Sequence, residues 1–95
     1  MKLNDMLYNC CPNNEPPDWR LFDAIEVSPV IVTPDGHGGE ICEAIPYAER
    51  EKASMWSVYG HYPAGGVECL TDVATEHRAM RIGSLFEARI RALRA

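Results

Sequence analysis

Apolar and polar positions alternate through two runs near the middle of the chain, separated by Pro63, Gly65 and Gly66. Trp56 and Val58 alternate with Ser57 and Tyr59 on the first run, and Val67, Cys69 and Val73 share one parity on the second. A period of two on both sides of a glycine-bearing turn predicts a β-hairpin over residues 55–73, with a loop of about five residues. Upstream, residues 25–33 (IEVSPVIVT) are β-branched and read as a strand. Pro29 cannot donate to a ladder, so this strand is expected at a sheet edge or bulged there. TPDGHGG at 33–39 supplies a turn, and EICEAI at 40–45 a second strand that Pro46 ends. Residues 47–54 are polar and tolerate one helical turn.

After the hairpin the period changes to 3.6. Thr75 is placed to cap a helix, and Ala79, Ile82, Phe86, Ile90 and Leu93 recur at spacings of three and four, with Leu85 widening the stripe. This predicts an amphipathic helix over 75–94. Gly83 in its middle costs about 1 kcal/mol relative to alanine, which a close approach to a sheet would explain. The expected fold is therefore α+β: a four-stranded antiparallel meander, with the C-terminal helix packed on one face. Trp56 and Phe86 belong in the layer between helix and sheet. Residues 1–24 read as a lead-in segment and 25–95 as a single domain. In the lead-in, Leu3, Met6 and Leu7 suit one apolar helical turn. CCPNNEPP then breaks any helix, and Trp19 and Phe22 share a face. These aromatics either lie against the domain or form a detachable arm.

A chain of 95 residues makes one small domain that buries roughly 60–65% of its unfolded surface, leaving little room for a deep active site. No run approaches the ~20 apolar residues of a membrane span, and MKLNDMLYN lacks a signal-peptide core; a cytoplasmic protein is expected. Charge is uneven. Residues 1–75 hold four cations against twelve carboxylates, whereas the remainder holds five arginines against Glu76 and Glu87. Arg89, Arg91 and Arg94 suit the C-terminal turn of a helix; alternatively, an acidic face of the sheet meets a basic partner.

Candidate chemistry is sparse. GHGG at 36–39 and Gly65–Gly66 match no phosphate loop and read as turns. The cysteines Cys10, Cys11, Cys42 and Cys69 contain no CxxC pair, and Cys69 is read as a small buried hydrophobe. His37, His61 and His77 supply no local HxxxH, so no metal, cofactor or catalytic residue is assigned, and Cys42 and Cys69 are expected reduced and metal-free. The acidic sheet disfavours direct nucleic-acid binding. On the other parity of the hairpin, Tyr59, His61 and Tyr62 form an aromatic and polar set suited either to protein recognition or to covering an open sheet face.

The segment from about Pro29 to Ala79 carries VTPDG, the pair Cys42–Glu43, WSVYGHYPAGGVECLTD and the Ala-Thr before the helix. It resembles a group of small, mostly uncharacterised proteobacterial proteins borne on plasmids and phages. The resemblance implies mobile-element cargo and carries over no catalytic residue. In size and charge the chain is similar in style to anti-CRISPR and other anti-defence inhibitors. By that likeness the expected function is stoichiometric binding that inhibits a host nucleic-acid-handling complex. The expected partner is a host protein with a basic surface, such as a CRISPR effector subunit, with no membrane involved; a homodimer is also compatible. Its candidate contact residues are Asp35, Glu40, Glu43, Glu49 and Glu51, anchored by Tyr59, His61 and Tyr62. The alternative is a small enzyme or metal-dependent module using Cys42, Cys69 and nearby histidines.

Overall fold

In the computed structural model, which describes residues 6–94, four antiparallel strands carry one C-terminal helix. The strands are β1 (Ala24–Pro34), β2 (Glu40–Ala44), β3 (Met55–His61) and β4 (Val67–Val73), and the helix is α1 (Glu76–Ala92). Two 3-10 turns, Pro12–Asn14 and Trp19–Leu21, precede β1, and a longer 3-10 segment kinked at Glu49, Tyr47–Lys52, joins β2 to β3. The α+β class and both hairpins match the periodicity of the sequence. The strand order is β2-β1-β3-β4 rather than that of a simple meander. The chain leaves β2 through the Tyr47–Lys52 turn and returns to pair β3 with β1, not with β2.

β1 is shared between two partners in succession. Ala24–Val30 pairs with β3, and Val30–Pro34 pairs with β2, so only Val30 has a strand neighbour on both sides, Ala44 and Met55. This explains how Pro29 fits an inner strand. A residue's N–H and C=O point to the same side of a strand. The Pro29 carbonyl accepts from the Ile45 N–H at 2.9 Å, on the β2 side and one residue past the end of β2. The missing donor therefore falls where the ladder has already stopped, and pairing with Trp56 on the β3 side is intact. Beyond Val30 the β1–β2 hairpin projects from the layered body, and the molecule is 45 Å along its longest axis.

The helix-facing side of the sheet holds Trp56, Val58 and Gly60 on β3 and Ile25 and Val27 on β1, in register with one another. α1 lays Ala79, Ile82, Phe86 and Ile90 on this face, and the cap is the expected one: Thr75 Oγ1 accepts from the Arg78 N–H at 3.3 Å. Leu85 and Leu93, expected in the apolar stripe, are exposed; the stripe ends at Ile90 and Leu93 lies past the last helical residue. The core is closed by the lead-in. Tyr8 stacks on Phe86 with ring centroids 5.4 Å apart, Trp19 leans on Phe86 at 5.0 Å, and Phe22 is buried over Gly60. The described part of the lead-in thus lies against the domain. The expected turn involving Leu3 falls partly outside the described residues.

The lead-in also covers a sheet edge. The Cys10 N–H donates to the Leu70 carbonyl at 3.1 Å. Asn9 grips Asp72 twice, its Nδ2 donating to the Asp72 carbonyl at 2.7 Å and its Oδ1 accepting from the Asp72 N–H at 2.8 Å. Strand β4 is thereby screened by residues 9–11, a common protection of exposed strand edges.

Candidate functional site

The five carboxylates named from the sequence lie on the projecting hairpin and the turn after it. Glu40 and Glu43 stand on β2, every residue of which is exposed. Their strand positions differ by three, which puts them on opposite faces of the hairpin. Asp35 is committed to the tip: its Oδ1 accepts from the N–H groups of His37 at 2.7 Å and Gly39 at 3.0 Å, while Gly36 and Gly38 take φ of 84° and 86°. On the Tyr47–Lys52 turn, Glu49 is paired with Lys52 at 2.9 Å, whereas Glu51 is exposed. The segment 31–44 contains no lysine or arginine. Glu40, Glu43 and Glu51 form no ion pair among the described residues, although Glu51 lies near the Lys52 charge.

The aromatic set does not sit beside that rim. His61 pairs with Ala24 at the opposite end of β1. The ten steps from Ala24 to Pro34 span roughly 33 Å. His61 Nδ1 lies 3.1 Å from Asp23 Oδ1, Tyr62 packs on Phe22 with ring centroids 5.0 Å apart and donates to Glu68 Oε2, and Tyr59 is half-buried. Burial chiefly raises the Tyr59 hydroxyl pKa, with its Ser57 hydrogen bond opposing. The hydrogen bond to Glu68 raises that of Tyr62.

A second group assembles around Cys69, with partners other than the Cys42 and histidines that the sequence offered. Cys69 was expected to be a buried hydrophobe; it is half-buried, and Leu70 and Thr71 are the buried residues of β4. The cause is a β-bulge. Tyr59 is opposite Cys69 but Val58 is opposite Thr71, which leaves Leu70 as an extra residue. The shift brings Cys69 and Asp72 onto one face, opposite Tyr59 and Ser57, although regular alternation would separate residues three apart. The lead-in then delivers Cys10 to the same place. Cys10 Sγ lies 3.2 Å from Cys69 Sγ and 3.3 Å from Asp72 Oδ2, and Cys69 Sγ lies 3.3 Å from Asp72 Oδ1. The Ser57 hydroxyl donates to Asp72 Oδ1. The Cys69 pKa is raised strongly by its contact with Cys10, by burial and by the Asp72 charge. Cys11, buried beside this group, is pushed up to about 11 by burial, with the Cys10 and Glu68 charges adding to it. Cys42 is far from all of them, exposed on β2, and His37 is at the hairpin tip. The structure therefore does not unite Cys42, Cys69 and the histidines.

A cleft of about 470 Å³ runs between α1 and the first half of β1, lined by Ile25, Val27, Met80 and Gly83 with Tyr47, Glu76 and Glu87 at its rim. Tyr47 donates to Glu76 Oε2 at 2.5 Å. Its lining contains neither cysteine nor histidine, and its carboxylates lie at the rim of an apolar wall. No helix among the described residues is long and apolar enough to cross a membrane. Compared with known proteins, the chain matches no family model, no curated protein and no solved structure.

Proposed function

We propose that this chain is a small protein-binding module that presents the β1–β2 hairpin to a basic partner surface and performs no chemistry of its own. The observation that carries the reading is the hairpin itself: its β2 strand exposed along its whole length, acidic, free of lysine and arginine, and ending in a tip shaped by Asp35. A protruding, rigid acidic finger can enter a cation-lined groove and occupy positions that the groove offers to phosphate, gaining charge-assisted hydrogen bonds and faster encounter. β2 also leaves one strand edge open, whereas β4 is screened by the lead-in. The resemblance to mobile-element proteins extends the proposal to inhibition of a host nucleic-acid-handling complex, such as a CRISPR effector.

The test is capture of a partner from host lysate with the tagged protein, followed by titration of the captured species. Glu40→Lys, Glu43→Lys and Glu51→Lys together should slow association at low salt while leaving the fold intact. Raising salt to about 0.5 M, where the Debye length is roughly 4 Å, should weaken the native complex. Affinity unchanged by both treatments would eliminate the acidic-finger mechanism.

A further inference from the structure

We propose that Cys10, Cys69 and Asp72 form a binding site for a thiophilic divalent cation, Zn²⁺, with the fourth coordination position left to water.

The argument begins with donor type. Two sulfurs and a carboxylate oxygen are a borderline-soft set that suits zinc better than magnesium or calcium, which take oxygen donors. The three ligand atoms lie within 4.8 Å of one another. In a tetrahedral zinc site with Zn–S near 2.3 Å, adjacent sulfurs stand about 3.8 Å apart and a sulfur and an oxygen about 3.5 Å apart. The two sulfurs are 3.2 Å apart and each lies 3.3 Å from a different Asp72 oxygen, Cys10 from Oδ2 and Cys69 from Oδ1, so an ion taking both sulfurs and one carboxylate oxygen needs the sulfurs to part by about 0.6 Å and the carboxylate to turn one oxygen toward it. The sulfurs are not bonded to each other.

The second argument is support from surrounding residues. Metal sites hold their ligands through outer hydrogen bonds. Here Asn9 fixes the Asp72 backbone through both its N–H and its carbonyl, the Ser57 hydroxyl orients the Asp72 carboxylate, and the Cys10 N–H is tied to the Leu70 carbonyl. Two of these contacts join segments more than sixty residues apart, so the site is made by the fold and not by a local motif. No lysine or arginine pairs with Asp72 among the described residues. The Cys10 and Cys69 thiols, Asp72, Tyr59 and Glu26 share this part of the sheet, a grouping of acidic and thiol side chains whose negative charge a bound cation would offset. Binding releases the two thiol protons to solvent as the sulfurs become thiolates. The site would clamp the lead-in to β4.

The full chain, reduced and freed of metal, is titrated with Zn²⁺ and, separately, with Co²⁺. One Zn²⁺ per chain should survive dialysis, and Co²⁺ should produce thiolate charge-transfer bands with the visible spectrum of a four-coordinate ion. Cys10→Ser, at an exposed position, should abolish both signals without unfolding the protein, as read by circular dichroism, whereas Cys42→Ser should leave them unchanged. Asn9→Ala, which removes only the outer support, should weaken zinc affinity about 10–100-fold. Equal zinc retention by Cys10→Ser and the native chain would overturn the proposal. So would a fully reduced protein that retains no zinc and gives no cobalt charge-transfer band, including one isolated with a Cys10–Cys69 disulfide and then reduced.

Discussion

A β-carbon built on Gly60 would lie 2.7 Å from two ring carbons of Phe22 and 2.8 Å from a third. The lead-in aromatic thus occupies the place of a side chain on β3. Phe22 is fully buried, so it cannot swing into solvent without loss. Gly60→Ala is expected to destabilise the fold by about 1–3 kcal/mol through overpacking, and Phe22→Ala by about 3–5 kcal/mol through the cavity it leaves. Urea unfolding followed by tryptophan fluorescence measures both. A neutral Gly60→Ala would mean that the lead-in is loosely held.

Gly83 meets β1 in a similar way: its missing β-carbon would stand 2.9 Å from Val27 Cγ2. Alanine in the middle of a helix is favoured over glycine by about 1 kcal/mol, but Val27 is β-branched and stiff at χ1. The clash should win, making Gly83→Ala net destabilising in the native background. In a Val27→Ala background the same change should become stabilising by roughly 0.5–1 kcal/mol. Matched urea melts of the four proteins read this reversal, and the same sign in both backgrounds would refute the close-approach explanation.

Phe86 is fully buried and contacts both Tyr8 and Trp19. Phe86→Ala should cost about 3–5 kcal/mol. Near-ultraviolet dichroism should lose intensity at the same time, because the stacked Tyr8 loses its partner. A loss below about 1 kcal/mol in the melt would be inconsistent with a core position.

Cys11 provides a pH dependence of defined sign. Its thiol is held at about 11 in the folded protein against an ordinary 9, so the unfolded chain releases this proton first. The contribution is fully present below pH 9 and is lost as pH rises through 11. Unfolding free energy should decline across that window by at most about 3 kcal/mol, and Cys11→Ala should flatten the decline. At pH 8 a disulfide reagent should modify exposed Cys42 in the native state but reach Cys11 only on unfolding. Rapid native modification of Cys11 would contradict its burial.

Local periodicity made most of the architecture legible. The β-branched run around Val30, the turn glycines Gly65 and Gly66, and the spacing of Ala79, Ile82, Phe86 and Ile90 each express a constraint that acts within a few residues. The strand order did not follow from such constraints, because whether β3 pairs with β1 or β2 depends on where the Tyr47–Lys52 turn directs the chain. The thiol cluster was hidden for two physical reasons. The bulge at Leu70 inverts the parity that made Cys69 look buried, and Cys10 reaches it from a segment that reads only as a helix breaker. The adjacent pair Cys10–Cys11 was the available signal, but what divides them is a turn from Tyr8 to Cys11, closed by the Cys11 N–H on the Tyr8 carbonyl at 3.0 Å, which leaves Cys11 buried and Cys10 exposed. The acidic residues were legible as a charge asymmetry. Their separation from Tyr59, His61 and Tyr62 was not, since it depends on β1 changing partners at Val30.

That separation makes the hairpin testable alone. Asp35 orders the tip by accepting from His37 and Gly39, and the Asp35 N–H donates back to the Gly39 carbonyl at 3.1 Å. None of these residues belongs to the core. Asp35→Ala should therefore change the global unfolding free energy by no more than about 0.5 kcal/mol, while hydrogen exchange at His37 and Gly39 accelerates. A finger that binds as a preformed element loses affinity when ordering must occur on binding. If the tip enters the partner groove, the same variant should bind the captured partner about tenfold more weakly, equivalent to roughly 1.4 kcal/mol. Asp35→Asn, which keeps an acceptor oxygen but removes the charge, separates shape from electrostatics: near-native affinity assigns Asp35 a shaping role and leaves the attraction to Glu40, Glu43 and Glu51. Faster exchange at the tip of Asp35→Ala with affinity unchanged would place the contact elsewhere on the molecule.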